Sequence, residues 1–304
     1  MNSEILCVGE VLWDALPDGL FLGGAPFNVA SHLQALGRSP VFASRVGHDR
    51  LGQEALRRAQ IRGLATDPVQ VDDALPTGFV QVDTGEPGEP DYDILEPAAW
   101  DAIAFTDALA QHAHHAEALV YGSLAQRAPT SRQTIQRLCE AVGLRVFDVN
   151  LRPPYVDRGV IEASLRAADV VKLNDAELRR MRAWFGLRDA PEGAMADLAD
   201  AFGCRAVCVT WGGHGARLWA EGQCWHHCGY AVDVADTVGA GDAFLSAFLA
   251  GFLEERTGDA LLDLANRLGA YVASRAGAFP SYNFDGLDGL LHLDLERRNH
   301  SRTE

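Results

Sequence analysis

Residues 236–253 read DTVGAGDAFLSAFLAGFL, the most informative stretch of the chain. Gly239, Ala240 and Gly241 form a turn of small residues, so backbone N–H groups there can approach an anion without obstruction from a Cβ. An apolar run of good helix formers follows at once. This order places the turn at a helix N-terminus, where free N–H groups and the helix dipole favour negative charge. The segment predicts a phosphate-binding turn that leads into a buried helix.

Asp242 stands in the first turn of that predicted helix. A carboxylate in this position is often only a cap or a partner of the dipole, which stabilises a helix by roughly 0.3–1 kcal/mol. A capped helix has no need, however, of a turn that bares consecutive amides. In phosphoryl transfer, a carboxylate beside such amides takes the proton of the attacking hydroxyl while the amides stabilise the transferring group. We therefore predict that Asp242 is the catalytic base, kept ionised by the dipole, and that Gly239, Ala240 and Gly241 complete the catalytic turn.

The composition restricts the partners of the chain. Of 304 residues, 48% are hydrophobic and 22% are charged, and the formal net charge is −16. Such a charge repels a phosphate polymer or an anionic membrane, so we expect neither nucleic acid nor membrane as a partner. ATP remains compatible, because a metal ion and local backbone donors can override the global field. The N-terminus shows no targeting signal and no stretch approaches a membrane span, which indicates a cytoplasmic protein.

Apolar β-type runs alternate with helical patterns along most of the chain. This order predicts one α/β domain over residues 1–304, with a doubly wound, mostly parallel sheet flanked by helices. The predicted strands are ILCVG, PVFASRVG, ALVYGS, LRVFDVN, DVVKLN and RAVCVT. The predicted helices are Asn28 to Leu36, Gly52 to Arg62, Thr130 to Val142, Asp175 to Trp184, Ala240 to Glu255 and Asp259 to Ala276.

Two segments depart from this alternation. Within residues 11–24 and within residues 69–95, short β segments follow one another without an intervening helix, and the second stretch contains the turn GEPGEP. Antiparallel strands joined by such turns would form a small sheet that projects from the large one. We interpret it as a lid over a ligand; a dimer interface is the alternative use.

A cluster of soft and imidazole side chains occurs in CWHHC, at Cys224, His226, His227 and Cys228. These residue types can bind zinc. The alternative is a plain strand in which neighbouring side chains face opposite ways. The sequence leaves both interpretations open.

The D-T-x-G-A-G-D segment with its apolar helix resembles the second signature of the ribokinase-like (PfkB) carbohydrate kinase family. The first signature of that family is similar to LGGAPFNVASHLQALG, which starts at Leu22. Gly24 permits close approach of a ligand and Asn28 offers a donor and an acceptor to a hydroxyl, although a plain capped helix would also explain the pattern. The resemblance implies that Gly24 and Asn28 contact a sugar, as does the carboxylate of Asp14 in WDALPDG.

A third polar segment, FDVNLRPP, places Asp148, Asn150 and Arg152 at alternating positions, so that their side chains would share one face of a strand. Arg152 could hold a phosphate or substrate oxygen with its forked donors, or form a structural ion pair. The pattern is similar to that of fructokinase-like members, which favours a substrate-binding role for Arg152.

Next along the chain, KLNDAEL resembles the N-x-x-E element of the family. The resemblance implies that Asn174 lies at the nucleotide and that Glu177 holds Mg²⁺ through bound water. Residues three apart at a helix start share a face, and Mg²⁺ uses few carboxylates, so the spacing is suitable. An exposed Glu beside an N-cap Asn is the alternative.

The nucleotide side is implied by two further resemblances. CVTWGGHGARL is similar to V-T-x-G-x-x-G, which assigns Thr210, Gly212 and Gly215 to ATP. LANRLGAYVASRAGAFPS is similar to the helix and loop beside the adenine, which assigns Asn266. In many members the loop that corresponds to Gly277 and Ala278 binds a monovalent cation such as K⁺.

The function expected from these features is an ATP-dependent sugar kinase that transfers the γ-phosphoryl group of ATP to a hydroxymethyl group. GGAPFNVA, WDALP, PTGFV and AAWDAI look most like fructokinases, so fructose is the first choice. Kinases of 2-keto-3-deoxygluconate, ribose or nucleosides are alternatives, and Phe27 could reshape the pocket. Dimers through the lid occur in similar proteins, so a homodimer is compatible, but the sequence does not decide the oligomeric state.

Two other classes of protein are weighed against the kinase. An NAD-dependent oxidoreductase would need G-x-G-x-x-G after the first strand, and CVGEVLWD lacks it. A catalytically silent sugar-binding protein could share the fold, since a fold by itself does not establish an activity.

Overall fold

The structure is a computed structural model that describes residues 4–16, 19–83, 91–282 and 284–298. The strands of the described residues are β1 (Glu4–Val8), β2 (Leu12–Leu16), β3 (Gly19–Gly23), β4 (Ser39–Gly47), β5 (Val69–Asp72), β6 (Gly78–Asp83), β7 (Asp91–Ile94), β8 (Ala116–Gly122), β9 (Leu144–Asp148), β10 (Val170–Asn174), β11 (Ala206–Thr210), β12 (Ala216–Ala220), β13 (Gln223–His227), β14 (Tyr230–Ala231) and β15 (Glu296–Arg297). The α-helices are α1 (Ala25–Ala35), α2 (Arg50–Ile61), α3 (Asp107–His115), α4 (Pro129–Ala141), α5 (Arg158–Ala167), α6 (Asp175–Phe185), α7 (Pro191–Phe202), α8 (Ala240–Leu253) and α9 (Gly258–Ala273).

Within these ranges the main sheet has nine strands in the order β13-β12-β11-β10-β9-β8-β1-β4-β5. The pairs from β11 to β5 are parallel, and β12 and β13 continue one edge in antiparallel fashion. Ile5, Leu6, Cys7 and Val8 of β1 are all fully buried. A strand covered on both faces reads as a continuous apolar run, which is why the predicted strands were recognisable. The predicted doubly wound, mostly parallel sheet is confirmed.

Helices cover both faces of this sheet. One apolar core contains Leu33 of α1, Ala55 of α2, Phe244 of α8 and Leu261 of α9. The core on the opposite face contains side chains from each of the other helices, Leu109, Ile135, Ile161, Leu178 and Met195. Helix α8 is buried continuously from Ala243 to Gly251, because α1 and α9 pack against it. This burial explains its nearly unbroken apolar sequence.

A small sheet has the order β3-β2-β6-β7. Its pairs β2–β3 and β6–β7 are antiparallel, whereas β2 and β6 are parallel. The predicted boundary at residue 69 was wrong, because Val69–Asp72 pairs with β4 and extends the large sheet. Helix α2 provides the crossover that a parallel β4–β5 pair requires. The predicted turn GEPGEP, residues 85–90, lies outside the described residues.

Strand β13 contains most of the cysteine and histidine cluster. Cys224 and His226 are exposed, whereas His227 is fully buried, as an alternating strand requires. The backbone N–H of Gly229 donates to Nδ1 of His227 at 3.0 Å, so Nε2 carries the proton and donates to Asp263 at 3.2 Å. Across the described ranges, no three His, Cys, Asp or Glu side chains come together as a metal site. The structure favours the plain-strand interpretation.

The helices in the described part of the chain are all too short or too polar to cross a bilayer.

Candidate active site

The turn at residues 239–241 begins helix α8. Gly239 is the N-cap residue and has φ of 75°, a left-handed conformation that favours glycine. A Cβ at this position would also lie 2.7 Å from Cα of Ala278, closer than real atoms approach. The first amides of a helix have no partner within it, so those that follow Gly239 are available to an anion.

Asp242 lies on the first turn of α8 and contacts the other signature segment. Its Oδ2 accepts a hydrogen bond of 2.8 Å from Nδ2 of Asn28, a residue 214 positions earlier in α1. Burial raises the pKa of Asp242 to about 6, and the bond from Asn28 acts in the opposite direction. Desolvation therefore acts against the ionised state that the helix dipole was predicted to favour. With a pKa of about 6, Asp242 is still largely ionised at neutral pH.

A buried ion pair lies beneath the turn, and its cation was missed in the sequence. Nζ of Lys172 on β10 donates to both carboxylate oxygens of Asp148 on β9, at 3.0 and 3.1 Å. A Cβ on Gly241 would lie 3.3 Å from this Nζ, so the ammonium group is directly under the phosphate-binding turn. The signal available was a single Lys in the apolar run DVVKLN, since a Lys is rarely buried without a charged partner.

Asp14 and Gly24 lie at the start of the small sheet and of α1. A Cβ on Gly23 would come within 2.8 Å of Oδ2 of Asp14, so glycine at 23 makes room for this carboxylate. A Cβ on Gly24 would come within 2.4 Å of the carbonyl oxygen of Glu10. Burial raises the pKa of Asp14 to about 6, while the positive charge of Arg152 lowers it.

The predicted common face of Asp148, Asn150 and Arg152 is not observed. Strand β9 ends at Asp148, and Asn150 has φ of 36°, so the alternation of a strand stops before Asn150. Arg152 is exposed. Its charge nevertheless lowers the pKa of Asp14 and of Asp242 against the larger effect of burial. The loop after β9 therefore places Arg152 close enough to both carboxylates for its charge to act on them.

Asn174 and Glu177 form a capping box at the start of α6. Oδ1 of Asn174 accepts from the N–H of Glu177 at 2.9 Å, and Oε2 of Glu177 accepts from the N–H of Asn174 at 2.7 Å. Oε1 of Glu177 accepts from the N–H of Leu151 at 2.7 Å, which ties the loop after β9 to α6. The alternative of an exposed Glu was wrong, since Glu177 is buried.

The surroundings of Glu177 limit how Mg²⁺ could be held. Both of its oxygens already accept backbone amides, which suits a contact through water better than direct coordination. The other ligands would be phosphate oxygens and waters, which Mg²⁺ commonly retains.

Thr210, Gly212 and Gly215 surround the turn after β11. Gly212 and Gly215 have φ of 53° and 88°. A Cβ on Gly215 would come within 1.9 Å of the carbonyl oxygen of His227, so packing alone demands glycine there. The turn is therefore narrow and tightly folded, whatever it binds.

Asn266 is buried within α9. Its Nδ2 donates to the carbonyl oxygen of Leu262 at 2.7 Å, a bond within the same helix. Gly269, one turn later, packs against the start of α8, where its Cβ would lie 3.3 Å from the carbonyl oxygen of Ala240. Asn266 thus lies on a helix beside the turn at residues 239–241, and one of its amide N–H groups is engaged within α9.

The loop at Gly277 and Ala278 packs against both signature segments. The N–H of Gly277 donates to Oδ2 of Asp236 at 3.1 Å. The carbonyl oxygen of Ala278 lies 3.1 Å from Nε2 of His32, a buried residue of α1. Binding of K⁺ at this loop stays a prediction.

These groups share one edge of the main sheet. Gly9 and Glu10 follow β1, Asp148 ends β9, and Thr210 ends β11, all at the carboxyl ends of parallel strands. The strand order reverses at β1, which lies between β8 and β4. In open α/β sheets, ligands bind in the crevice at such a reversal. The geometry therefore supports a site that holds an alcohol at the β1 end and an anionic ligand at the turn of α8.

Comparison with known proteins identifies the relatives of the chain. The sequence profile of the pfkB family carbohydrate kinases matches residues 18–283. A fructokinase from Escherichia coli is 30% identical over 298 residues, which cover 91% of this chain and 95% of the relative. An ATP-dependent ribose-1-phosphate kinase from Halopiger xanaduensis is 30% identical over 277 residues, which cover 88% and 86%.

A solved structure has the same fold. The fructokinase from Vibrio cholerae, crystallised with fructose, ADP and a calcium ion, superposes with a TM-score of 0.78 at 26% identity. The alignment covers 91% of this chain and 94% of that protein.

Proposed function

Since the chain belongs to the pfkB family of carbohydrate kinases, we propose that its acceptor is fructose and that Asp242 is its catalytic base. The observation that carries this proposal is the contact between the two signature segments. Asn28, predicted to bind the sugar, donates to the carboxylate of Asp242, which adjoins the phosphate-binding turn. An alcohol bound at Asn28 would therefore lie beside both the base and the amides that receive the phosphoryl group.

The reaction follows from this arrangement. The sugar binds against Asp14, Gly24 and Asn28, and its hydroxymethyl oxygen attacks the γ-phosphorus of ATP. The bond from that phosphorus to the oxygen bridging to ADP breaks, and the hydroxyl proton passes to Asp242. The transition state is loose, so the proton can leave late and positioning matters more than basicity.

Charge on the transferring group is met by three features of this chain. The amides after Gly239 and the dipole of α8 point at it, Lys172 lies beneath the turn, and Arg152 faces it from the loop after β9. Mg²⁺, when bound near Glu177, offsets further phosphate charge. Thr210, Gly212 and Gly215 lie four strands from β1, about 19 Å at ~4.8 Å per strand, which leaves length for a nucleotide across the sheet edge.

The choice of fructose rests on the relatives. The Escherichia coli protein and the Vibrio cholerae structure are fructokinases, and the latter was solved with fructose. Ribose and its 1-phosphate are the second candidate, because a ribose-1-phosphate kinase is equally identical to the chain. 2-Keto-3-deoxygluconate and nucleosides are further alternative acceptors, and the same assay tests them. The oxidoreductase alternative has no support in the relatives described above.

The test is a panel of acceptors with release of ADP as the readout. The panel contains fructose, ribose, ribose 1-phosphate, 2-keto-3-deoxygluconate and adenosine, each at equal concentration with ATP and Mg²⁺. We expect the highest kcat/KM for fructose. A larger kcat/KM for another acceptor overturns the sugar assignment. If ADP is released with none of the acceptors, the result contradicts the kinase function in this chain.

Asp242→Asn tests the base. We expect kcat to fall by about 10²–10⁴-fold, the usual contribution of a positioned general base, with ATP affinity retained. The amide oxygen of Asn can still accept from Asn28, and the pKa of Asp242 is raised by folding. Ionisation therefore costs stability above pH 6, and the variant should melt at or above the wild type at pH 8. Retention of most of the activity would refute the assigned base.

A further inference from the structure

Glu10 is a buried acidic residue at the centre of the site that the proposed reaction does not use. It follows β1 at the point where the strand order reverses, and it is 3% exposed. Its Oε1 accepts from the N–H of Ala25 at 3.3 Å, which places the carboxyl group at the N-terminus of α1. The sequence signal was a single acidic residue in the apolar run CVGEVLW.

The second carboxyl oxygen, Oε2, is buried and has no hydrogen-bond partner. Oδ1 of Asn28 is buried and lacks a partner in the same way. Asn28 lies three residues after Ala25, so both atoms flank the first turn of α1. Buried polar atoms without partners are uncommon in folded proteins, and in an enzyme cleft they indicate where a ligand supplies the missing bonds.

A sugar hydroxyl meets the needs of both atoms. It has one proton to donate and two lone pairs to accept with. Asn28 Oδ1 can only accept, so the hydroxyl proton belongs there. A hydroxyl that gives its proton to Oδ1 keeps two lone pairs, to which Oε2 donates when the carboxyl group is protonated.

We propose that Glu10 is a substrate-binding residue that acts as a neutral acid, with Oε2 donating a hydrogen bond to a hydroxyl of the acceptor sugar. This inference rests on the carbohydrate kinase activity and on the position assigned to the sugar above. It adds a residue that neither signature segment contains. It also predicts that the enzyme loses sugar affinity when Glu10 ionises.

The surroundings favour the neutral acid. Burial raises the pKa of Glu10 to about 7, the hydrogen bonds from its own N–H and from Ala25 lower it, Arg152 lowers it and Asp242 raises it. Arg152 and Asp242 are the charged groups that act on Glu10. Glu10 is therefore largely neutral below pH 7 and becomes an anion above it.

The test compares Glu10→Gln with the wild type over pH 5–9. Gln keeps an oxygen for Ala25 and carries an N–H₂ that donates where the acid did. For the wild type, kcat/KM for the sugar should rise through about pH 6 as Asp242 ionises and fall above about pH 7 as Glu10 ionises. The Gln variant should keep the rise and lose the fall, with KM at pH 6 within about threefold.

Glu10→Leu removes both hydrogen bonds. We expect KM for the sugar to increase about tenfold or more while KM for ATP stays within about twofold. Glu162→Gln, which removes an exposed carboxylate paired with Arg166 on α5, is the matched control and should keep the wild-type profile.

The possible failures are distinguishable. If Glu10 only caps α1, the Gln variant keeps the alkaline fall in kcat/KM. The Leu variant then has a changed melting temperature, while its KM values for the sugar and for ATP change by the same factor. Either result overturns the proposal for Glu10 while the kinase stays active. If the wild type phosphorylates none of the sugars in the panel, the proposed function fails, and the role of Glu10 fails with it.

Discussion

Glycine at position 239 has two separate reasons to be there. Its φ of 75° is a conformation that other residues adopt only with strain, and its position leaves no space for a Cβ against Ala278. Gly186, the C-cap of α6, has a similar φ of 66°, but a Cβ there would have no neighbouring atom within 4 Å. The two positions therefore separate the cost of conformation from the cost of the clash.

Gly239→Ala should reduce both activity and stability, whereas Gly186→Ala should reduce stability alone. The conformational cost is about 1–2 kcal/mol at each site. At position 239 the clash must also move the turn, and kcat should fall by about 10²-fold, the effect of losing one oxyanion donor. Urea unfolding and ADP release measure the two effects. Equal activities of the two variants would show that the turn does not hold the phosphoryl group.

Other residues took positions that their local pattern did not indicate. Phe27 packs in the core against Phe42, with the ring centroids 5.4 Å apart, so the expectation that it reshapes the pocket was wrong. Glu10 and Lys172 were missed because a charged residue in an apolar run shows burial only when its surroundings are known. Asp242, Asn28 and the glycines were predicted to form the site from their residue types and spacing, and the structure brings Asn28 and Asp242 into contact.

At the level of elements, strands β9 and β10 bring a cation and an anion beneath the start of α8. Lys172 and Asp148 are paired neighbours in the register of these strands. The charge of Asp148 raises the pKa of Asp242 and that of Lys172 lowers it, both acting beside the larger effect of burial. The strand pair therefore adjusts the pKa of Asp242, the proposed base.

Lys172→Met and Asp148→Asn should move the acid limb of the pH–kcat/KM profile in opposite directions. Without Lys172 the pKa of Asp242 rises above about 6, so the limb moves to higher pH. Without Asp148 the pKa falls and the limb moves to lower pH. Both variants break a buried pair and should lose about 3–5 kcal/mol of stability. If the acid limbs of both variants coincide with that of the wild type, a group other than Asp242 controls the pH dependence of kcat/KM.

The boundaries of the six predicted helices agree with the structure within three residues, whereas α3, α5 and α7 were not predicted. Helix α8 was predicted to start at Ala240 and does so, because the left-handed backbone of its N-cap residue Gly239 cannot be part of the helix. The small sheet was less predictable. Its short strands gave no local sign that Val69–Asp72 would pair with β4 rather than with β6, since strand pairing is decided by the crossover helix and not by the strand itself.

For the whole molecule, the small sheet presents an edge that suits a second copy of the chain. β3 is an edge strand, and its Leu20 and Phe21 are 45% and 41% exposed. Unpaired backbone groups beside exposed apolar side chains favour pairing with another chain. We propose a homodimer through this edge, in which the small sheet also covers the sugar.

A Leu20→Lys/Phe21→Lys double variant should sediment as a monomer of 32.8 kDa, while the wild type sediments as a dimer. Charged side chains on an edge strand prevent pairing with another chain. Val234→Lys, at a residue that is 61% exposed, controls for added charge elsewhere on the surface. A wild type that is monomeric throughout, or a double variant that stays dimeric, would contradict the proposed interface.

From the residues alone, the fold class, the glycine turn before helix α8 and the two signature segments could be predicted. These are local properties: apolar runs, glycine positions and the residue types beside them. Folding is needed to show which distant groups meet, such as Asn28 and Asp242 across 214 residues, and which carboxyl groups are buried. The order of strands in the sheet controls both, because it determines which residues become neighbours and which side chains become buried. That is why Glu10 and Lys172 became visible as site residues only after the chain was folded.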